Sequence, residues 1–392
     1  MMRNAFIRAG VQRMIGHRLW ALLLLSTTVT LSTAAPPSAG SASTLPRMSD
    51  PALSPDGRYV AFFAQQGGRR VLELLDLERD DDVSPVLDHG KDEGYSVDWC
   101  GWVNSERLLC GYHASARKDG AIQDLTRLVA VNPDGSDSKV VLQGARAGGD
   151  ERTRPRVLDW MPRDLKAVKL LLVEDGEEYP SVFKFDLYSG KLEREVKAQA
   201  PIRHFATEIA DYDLRFGWGI VDGELQGFVL EGRRQKKRWR RLQRLRPASG
   251  PEALAPLPNR LLGNHLHAIG KYEGSDAMWL VDLDDAEDPR VIAAREHADG
   301  ASPLLTADGT LLGITYRSDP SAAIYIDASA QHVAERVVEQ LAAREARVVD
   351  CVLNPHRFIV FARGKDADTG RYYLYDVRAD DTELRELGIA SP

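Results

Sequence analysis

Leu74-Leu75-Asp76-Leu77 decides the reading of this chain, because the same phrase, a short apolar run ending in Asp or Asn, returns about every fifty residues. It recurs as Val129-Ala130-Val131-Asn132, Phe183-Lys184-Phe185-Asp186-Leu187, Trp279-Leu280-Val281-Asp282-Leu283, Ile324-Tyr325-Ile326-Asp327 and Tyr373-Leu374-Tyr375-Asp376-Val377. Successive polar terminators stand 56, 54, 96, 45 and 49 residues apart. The gap of 96 holds two periods, with a degenerate copy, Phe228-Val229-Leu230-Glu231, near its middle. Self-similarity at this spacing belongs to propellers, solenoids and arrays.

Working outward, a turn signal precedes most of these runs. Ser54-Pro55-Asp56-Gly57-Arg58 leads into Tyr59-Val60-Ala61-Phe62, and Ala307-Asp308-Gly309-Thr310 leads into Leu311-Leu312-Gly313-Ile314. Asn104-Ser105-Glu106-Arg107, Pro258-Asn259-Arg260 and Asn354-Pro355-His356-Arg357 stand ahead of Leu108-Leu109, Leu261-Leu262 and Phe358-Ile359-Val360-Phe361. Asp and Asn close such turns with their own side chains, Pro presets φ, and Gly accepts φ > 0. Each unit therefore reads as four antiparallel strands, with the third ending in Asp. The runs are rich in β-branched and aromatic residues, as strands require. Helical spacing appears at Val333, Val337, Val338 and Leu341, which predicts one helix near residues 331–347, between the sixth and seventh units. The expected fold is all-β: a seven-bladed β-propeller of four-stranded antiparallel blades over residues 45–392, with that one short helix.

The chain carries net charge −7. Its first 34 residues hold Arg3, Arg8, Arg13 and Arg18 and no acids, leaving 47 basic against 58 acidic groups beyond them, a balance of −11. An acidic surface argues against general nucleic-acid affinity. Basic residues, the apolar run Leu19-Trp20-Ala21-Leu22-Leu23-Leu24-Leu25 and the small residues Ser32-Thr33-Ala34 read as a signal peptide over residues 1–34, cleaved after Ala34. Met14 is an alternative start, and residues 35–44 read as a linker. The protein is expected to be exported, periplasmic or secreted, and to meet a membrane only if the first segment stays uncleaved as an anchor.

Cys100 and Cys110 flank the hairpin centred on Ser105 and would face each other across two strands. The preferred reading is two free thiols packed as small hydrophobes. A possible disulfide in an oxidising compartment is the alternative. Cys351, within Val348-Val349-Asp350-Cys351-Val352, reads as core.

The search for chemistry leaves no catalytic, cofactor-binding or metal-binding residue assigned. Gly-x-Ser-x-Gly, which lifts a hydrolase nucleophile on a strained turn, does not occur. Ser136 and Ser275 are its nearest imitations and read as turn residues. The sequence has no His-Glu-x-x-His, no Cys-x-x-Cys pair, no twelve-residue calcium loop and no glycine-rich phosphate loop. His265 and His267 share one strand face but want a third ligand. The basic run Arg233, Arg234, Lys236, Lys237, Arg238, Arg240, Arg241, Arg244 and Arg246, interleaved with Trp239 and Leu242, suits polyanions. It reads instead as a hairpin turn and an outer strand, with Trp239 inward and the cations solvated. Glu177-Glu178 could hold a peptide amine in a central cavity, or form a solvated loop.

Leu53-Ser54-Pro55-Asp56-Gly57-Arg58-Tyr59-Val60-Ala61-Phe62 resembles the blade signature of the amino-terminal propeller in prolyl oligopeptidase-family serine peptidases, the group with dipeptidyl aminopeptidases and acylaminoacyl peptidases. Trp99-Cys100-Gly101-Trp102-Val103-Asn104, the strand ending Asp186-Leu187-Tyr188-Ser189-Gly190 and Tyr372-Tyr373-Leu374-Tyr375-Asp376 resemble later parts of it. The Ser-Pro-Asp-Gly strand also recurs in the Tol-Pal periplasmic propeller protein and other exported propellers. The likeness covers about residues 45–390. It implies a non-catalytic, substrate-gating propeller whose partner is a serine hydrolase domain, and first and last blades held by packing alone. That family's hydrolase domain would begin where this sequence reaches Pro392, so no catalytic residue carries over and no enzymatic activity is expected of this chain. The rival expectation is a free-standing exported interaction scaffold that binds another protein or a peptide on its rim.

Overall fold

The run Tyr59–Gln66 serves two cores at once. Val60 and Phe62 pack with Met48, Leu75, Ile359 and Leu374, whereas Ala61 and Phe63 pack with Leu74, Val97, Trp102 and Leu108. Side chains on a strand alternate between faces, so a strand covered on both sides must be apolar throughout.

This computed structural model describes residues 45–79, 82–87, 94–118, 120–147, 151–232, 237–242, 245, 254–258, 260–284, 289–319, 323–378 and 382–391. The segments read as signal and linker, 1–34 and 35–44, lie outside the described residues, as do Arg233, Arg234, Lys236, Arg244 and Arg246. The first meander is β1 (Arg47–Leu53), β2 (Tyr59–Gln66), β3 (Arg69–Asp76) and β4 (Asp82–Leu87). The second is β5 (Ser96–Asn104), β6 (Arg107–Lys118), β7 (Ala121–Val131) and β8 (Lys139–Ala147). The third is β9 (Arg156–Asp159), β10 (Ala167–Leu172), β11 (Ser181–Asp186) and β12 (Leu192–Val196). The fourth is β13 (His204–Thr207), β14 (Leu214–Val221), β15 (Glu224–Glu231) and β16 (Arg238–Arg241). The fifth is β17 (Ala255–Pro256), β18 (His265–Tyr272), β19 (Ser275–Asp282) and β20 (Arg290–Ala294). Then come β21 (Ala301–Leu305), β22 (Leu311–Tyr316), β23 (Ile324–Tyr325) and helix α1 (Ala328–Leu341). The chain finishes with β24 (Glu345–Leu353), β25 (His356–Arg363), β26 (Arg371–Val377) and β27 (Thr382–Ala390).

Within each meander neighbouring strands pair antiparallel. The described strands assemble into four four-stranded sheets, one three-stranded sheet and one eight-stranded sheet of order β24-β25-β26-β27-β1-β2-β3-β4. Each hydrophobic cluster lies between two meanders that follow each other in the chain, and one joins the last meander to the first. Withdrawing a Leu, Ile or Phe such as Phe62 or Ile359 from water contributes about 1.5–3 kcal/mol.

The terminal Asp or Asn of each third strand has a job. Asp76, Asp186 and Asp282 accept hydrogen bonds from backbone N–H groups two residues on, which turns the chain toward the fourth strand. In three units it also takes the Arg that opens the second strand: Arg58 to Asp76 at 2.9 Å, Arg107 to Asn132 at 2.5 Å and Arg357 to Asp376 at 3.2 Å. Burial raises the Asp76 pKa, but the Arg58 guanidinium and the Glu78 N–H outweigh it and hold the carboxyl below its ordinary range.

Four expectations need correction. The first concerns the helix, which runs from Ala328 to Leu341 and not to residue 347. Asp327 caps it by accepting from Ala330 N–H at 2.8 Å, and Ala342 ends it in the left-handed conformation at φ 47°, so Glu345–Leu353 is already strand. The second follows from it: among the described residues the sixth unit has three strands, because its terminal Asp starts a helix where other units start a fourth strand. Third, Leu261 and Leu262 form only isolated bridges, to Glu208 and His265, rather than a strand. Fourth, the first and last meanders are hydrogen-bonded as well as packed: β1 and β27 pair parallel, with Ile389 N–H donating to Pro46 C=O and Ser391 N–H to Met48 C=O, both at 2.9 Å.

The cap generates a prediction. Asp327→Ala removes the acceptor for Ala330 N–H and should lower stability by about 1 kcal/mol, read as a reduced denaturation midpoint, while Asp327→Asn should lose little.

Candidate functional site

Apart from β1, whose first residues also pair with β27, the first strand of each meander has a ladder partner on one edge only, so the polar groups at its end must find partners elsewhere. They find them on the next meander. Trp102 Nε1–H donates to Ala52 C=O at 3.2 Å, and Asn104 Nδ2–H to Leu165 C=O at 2.6 Å. Thr207 Oγ1–H donates to Asp159, and Glu208 accepts from Gly263 N–H at 3.2 Å. Arg260 reaches Asp308 at 2.6 Å. Asp350 accepts from Ala307 N–H at 3.0 Å and from Leu53 N–H at 2.7 Å. Arg357 donates to Gly57 C=O at 2.7 Å. Together these bonds tie every meander to its successor, at the end where first strands turn into second strands.

Two of the turns repeat one chemistry. Tyr59 N–H donates to the Ser54 hydroxyl, and Ser54 donates to Asp56 at 2.6 Å; Thr310, Thr306 and Asp308 repeat the arrangement. Gly57 and Gly309 take φ of +72° and +85°, where a side chain would be strained.

Four meanders contribute to a cavity of about 150 Å³ at this junction. Arg156, Val157, Leu158 and Asp159 come from β9, His204 to Thr207 from β13 and Trp218 from β14. Leu171, Pro258, Arg260, Asp308 and Gly309 complete the wall. Asp159, 1% exposed, accepts from Met161 N–H at 2.8 Å and from Thr207, and its nearer oxygen is 4.0 Å from Arg260. Arg260 also donates to Thr310 Oγ1 at 2.9 Å. At the exposed end the His204 ring stacks on Trp218, centroids 5.2 Å apart and planes at 20°.

Burial pushes the Asp159 pKa up, and Thr207, Met161, Arg260 and Lys169 only partly offset it. Burial also acts upward on Asp308, but there Arg260 and the Thr306 hydroxyl prevail, and its pKa is lowered. Desolvation lowers His204 first, and the positive charges of Arg156 and Arg203 lower it further, so the ring is neutral near pH 7. Arg156 is itself disfavoured as a cation by burial and by Arg203. The cavity thus holds fixed charge and apolar wall, and its hydroxyl, Thr207, is 1% exposed and donates to a carboxylate.

Sequence reasoning singled out none of Arg156, Asp159, Thr207 and His204, and read Arg260 and Asp308 as turn residues. The signal was present in the turn Thr306-Ala307-Asp308-Gly309-Thr310, which matches Ser54 to Arg58 in side-chain chemistry. Glu177 and Glu178 are ion-paired, to Lys197 at 3.4 Å and Arg203 at 2.6 Å, so neither charge is held open for an amine. His265 is partly exposed and His267 buried in β18, and among the described residues no group of three or more His, Cys, Asp or Glu is placed to hold a metal. Of the basic run, Arg238 to Arg241 form the outer strand β16; Trp239 packs beside Phe205, and Glu231 pairs with Arg240 and, at 3.6 Å, with Arg238. Ser275 opens β19 and accepts from His297 N–H at 2.9 Å, whereas Ser136 sits in a turn.

The structure pairs Cys100 directly with Cys110 across β5 and β6, with Cα atoms 4.1 Å apart, and joins them in a disulfide rather than leaving two thiols. Cys351 is only partly buried, and burial with the neighbouring acids Asp350, Asp327 and Asp308 pushes its thiol up to about 12.

Asp350 is a further buried carboxyl. Burial drives its pKa up to about 7, the N–H groups of Ala307 and Leu53 pull it back, and Asp308 pushes it further. Unfolded, such a group titrates near ~3.9. Between those values the folded chain retains a proton that the unfolded chain has lost, so this group's contribution to stability falls as pH rises from about 4 to 7. Wild-type protein should therefore lose more Tm between pH 5 and pH 8 than Asp350→Asn does. At pH 5 the variant should be the less stable by about 1–3 kcal/mol, because its amide cannot accept from both N–H groups.

No protein-family model matches the chain, and no curated protein matches it. Solved structures do. A prolyl endopeptidase aligns with TM-score 0.51 and 11% identity over 89% of this chain and 50% of its own. An acylaminoacyl peptidase from Pyrococcus horikoshii aligns at 0.39, with 13% identity over 84% and 50%. TolB from Acinetobacter baumannii aligns at 0.34, with 14% identity over 62% and 56%. The chain spans about half the length of the two peptidases. At such identity the likeness concerns fold, and the motif resemblance to prolyl oligopeptidase-type peptidases is matched by a resemblance of architecture.

Proposed function

We propose that residues 45–392 form a seven-bladed β-propeller, itself non-catalytic, that gates access of peptides to a serine hydrolase domain. The blade count treats the eight-stranded sheet as two meanders joined through β27 and β1, and the sixth meander as a blade whose fourth strand is replaced by α1. The likeness to half of a prolyl endopeptidase supports the gating role.

The observation that carries this reading is an apolar end. Leu165, Tyr188, Leu262, Ile326 and Leu353 are 42–65% exposed, and all sit in or beside turns at the end where the meanders are tied together. Ile122, Ile220 and Tyr272 mark the opposite end. Exposed apolar side chains gathered on one face suit docking of another domain, and a rigid ring over a hydrolase site would exclude folded proteins while admitting peptides. The setting is export, with cleavage after Ala34. A disulfide between Cys100 and Cys110 suits an oxidising compartment.

The test is turnover by the purified chain alone of aminoacyl and dipeptidyl chromogenic amides. The expected rate equals the buffer blank. Hydrolysis that co-purifies with the protein through successive columns would overturn the non-catalytic assignment.

A further inference from the structure

Arg156 stands apart from the other charged groups of the cavity. Asp159 is met by Thr207 and Met161, and Arg260 by Asp308. Arg203 is taken by Glu178 and lies over the Tyr179 ring at 4.4 Å. Among the described residues the Arg156 guanidinium has no ion-pair or hydrogen-bond partner, although the residue is half-buried and a second guanidinium, Arg203, acts on it. Holding a cation there without an anion is costly. The surroundings add shape: Val157, Leu171, Phe205 and Trp218 supply apolar wall, and the stacked His204 ring stands at the open end. Of the carboxylates, Asp159 is buried and Asp308 partly exposed, and partners on the protein already satisfy both.

We propose that this cavity is a binding site for a carboxylate carried on a compact hydrophobic body, with Arg156 as the group that pairs with the anion and His204 and Trp218 as its aromatic rim. A guanidinium matches a carboxylate with two parallel, charge-assisted N–H bonds. A volume of about 150 Å³ accommodates one ring-sized or side-chain-sized group and not a whole peptide. Such a carboxylate has two sources, the C-terminus of a peptide ending in an apolar residue or a free small organic acid. This assignment goes beyond the gating proposal and stands or fails separately from it.

The experiment is a titration of the full chain with benzoate, benzamide, the tripeptide Ala-Ala-Val and its C-terminal amide. Calorimetry reads affinity, and NMR follows the Trp218 indole N–H and the His204 ring. Benzoate or Ala-Ala-Val should bind and shift both resonances, and the corresponding amide should bind at least tenfold more weakly. Arg156→Gln should lose at least tenfold in affinity for the acid, and Arg156→Lys should recover part of it. Binding of the tripeptide more tightly than benzoate identifies a peptide terminus as the source; the reverse identifies a free acid. Equal binding of acids and amides, no shift of Trp218 or His204 in the wild type, or unchanged affinity in a folded Arg156→Gln would overturn the proposal.

Discussion

Among the described residues every first strand, apart from Arg47 and Met48 of β1, which pair with β27, has an edge with no ladder partner, and that constraint organises the rest. Buried N–H and C=O groups require acceptors and donors. Leu53 N–H and Ala307 N–H meet Asp350, Leu165 C=O meets Asn104, and Ala52 C=O meets the Trp102 indole. Each bond crosses from one meander to a neighbour, so the same interactions that satisfy the backbone also fix the order and orientation of the sheets. The hydrophobic clusters do the bulk of the stabilising between the same neighbours, but apolar contact is non-directional. Direction comes from the polar ends.

Much of this was legible in the sequence, for a physical reason. A strand covered on both faces must be apolar throughout, which is why Tyr59-Val60-Ala61-Phe62 and Phe358-Ile359-Val360-Phe361 stand out. A turn that closes on its own side chain needs Asp, Asn, Ser or Thr at set positions, which is why Asp76, Asp186 and Asp282 recur in phase. What a side chain does for its own turn can be read locally. What it does for another meander cannot. Asp308 and Arg260 looked like turn residues, and their pairing at 2.6 Å depends on a closure 48 residues long in sequence. Asp327 carried the same phrase as the other terminators yet caps a helix, because Ala328 to Leu341 is a stronger helix-former than the segments that follow the other terminators. Spacing about Ser105 put Cys100 opposite Cys110, but whether such a pair is oxidised depends on the compartment, which local spacing does not carry.

The candidate cavity follows from the same constraint. Where four inner ends converge, charges needed to tie them lie close together, and most are neutralised by one another. Among the described residues Arg156 is the exception, and in the proposed carboxylate site it would be matched by the ligand. The exposed Leu165, Leu262 and Leu353 belong to that end as well, so ligand recognition and domain docking would share one face of the ring.

The central claim is that the inner ends are tied in a closed circuit, and amide hydrogen exchange tests it most directly. Leu53 N–H, held by the Asp350 carboxyl, and Ile389 N–H, held by Pro46, should be protected to the same degree as amides of β2 and β25. Exchange of Leu53 and Ile389 at the rate of exposed turn amides, while β2 and β25 stay protected, would contradict the account.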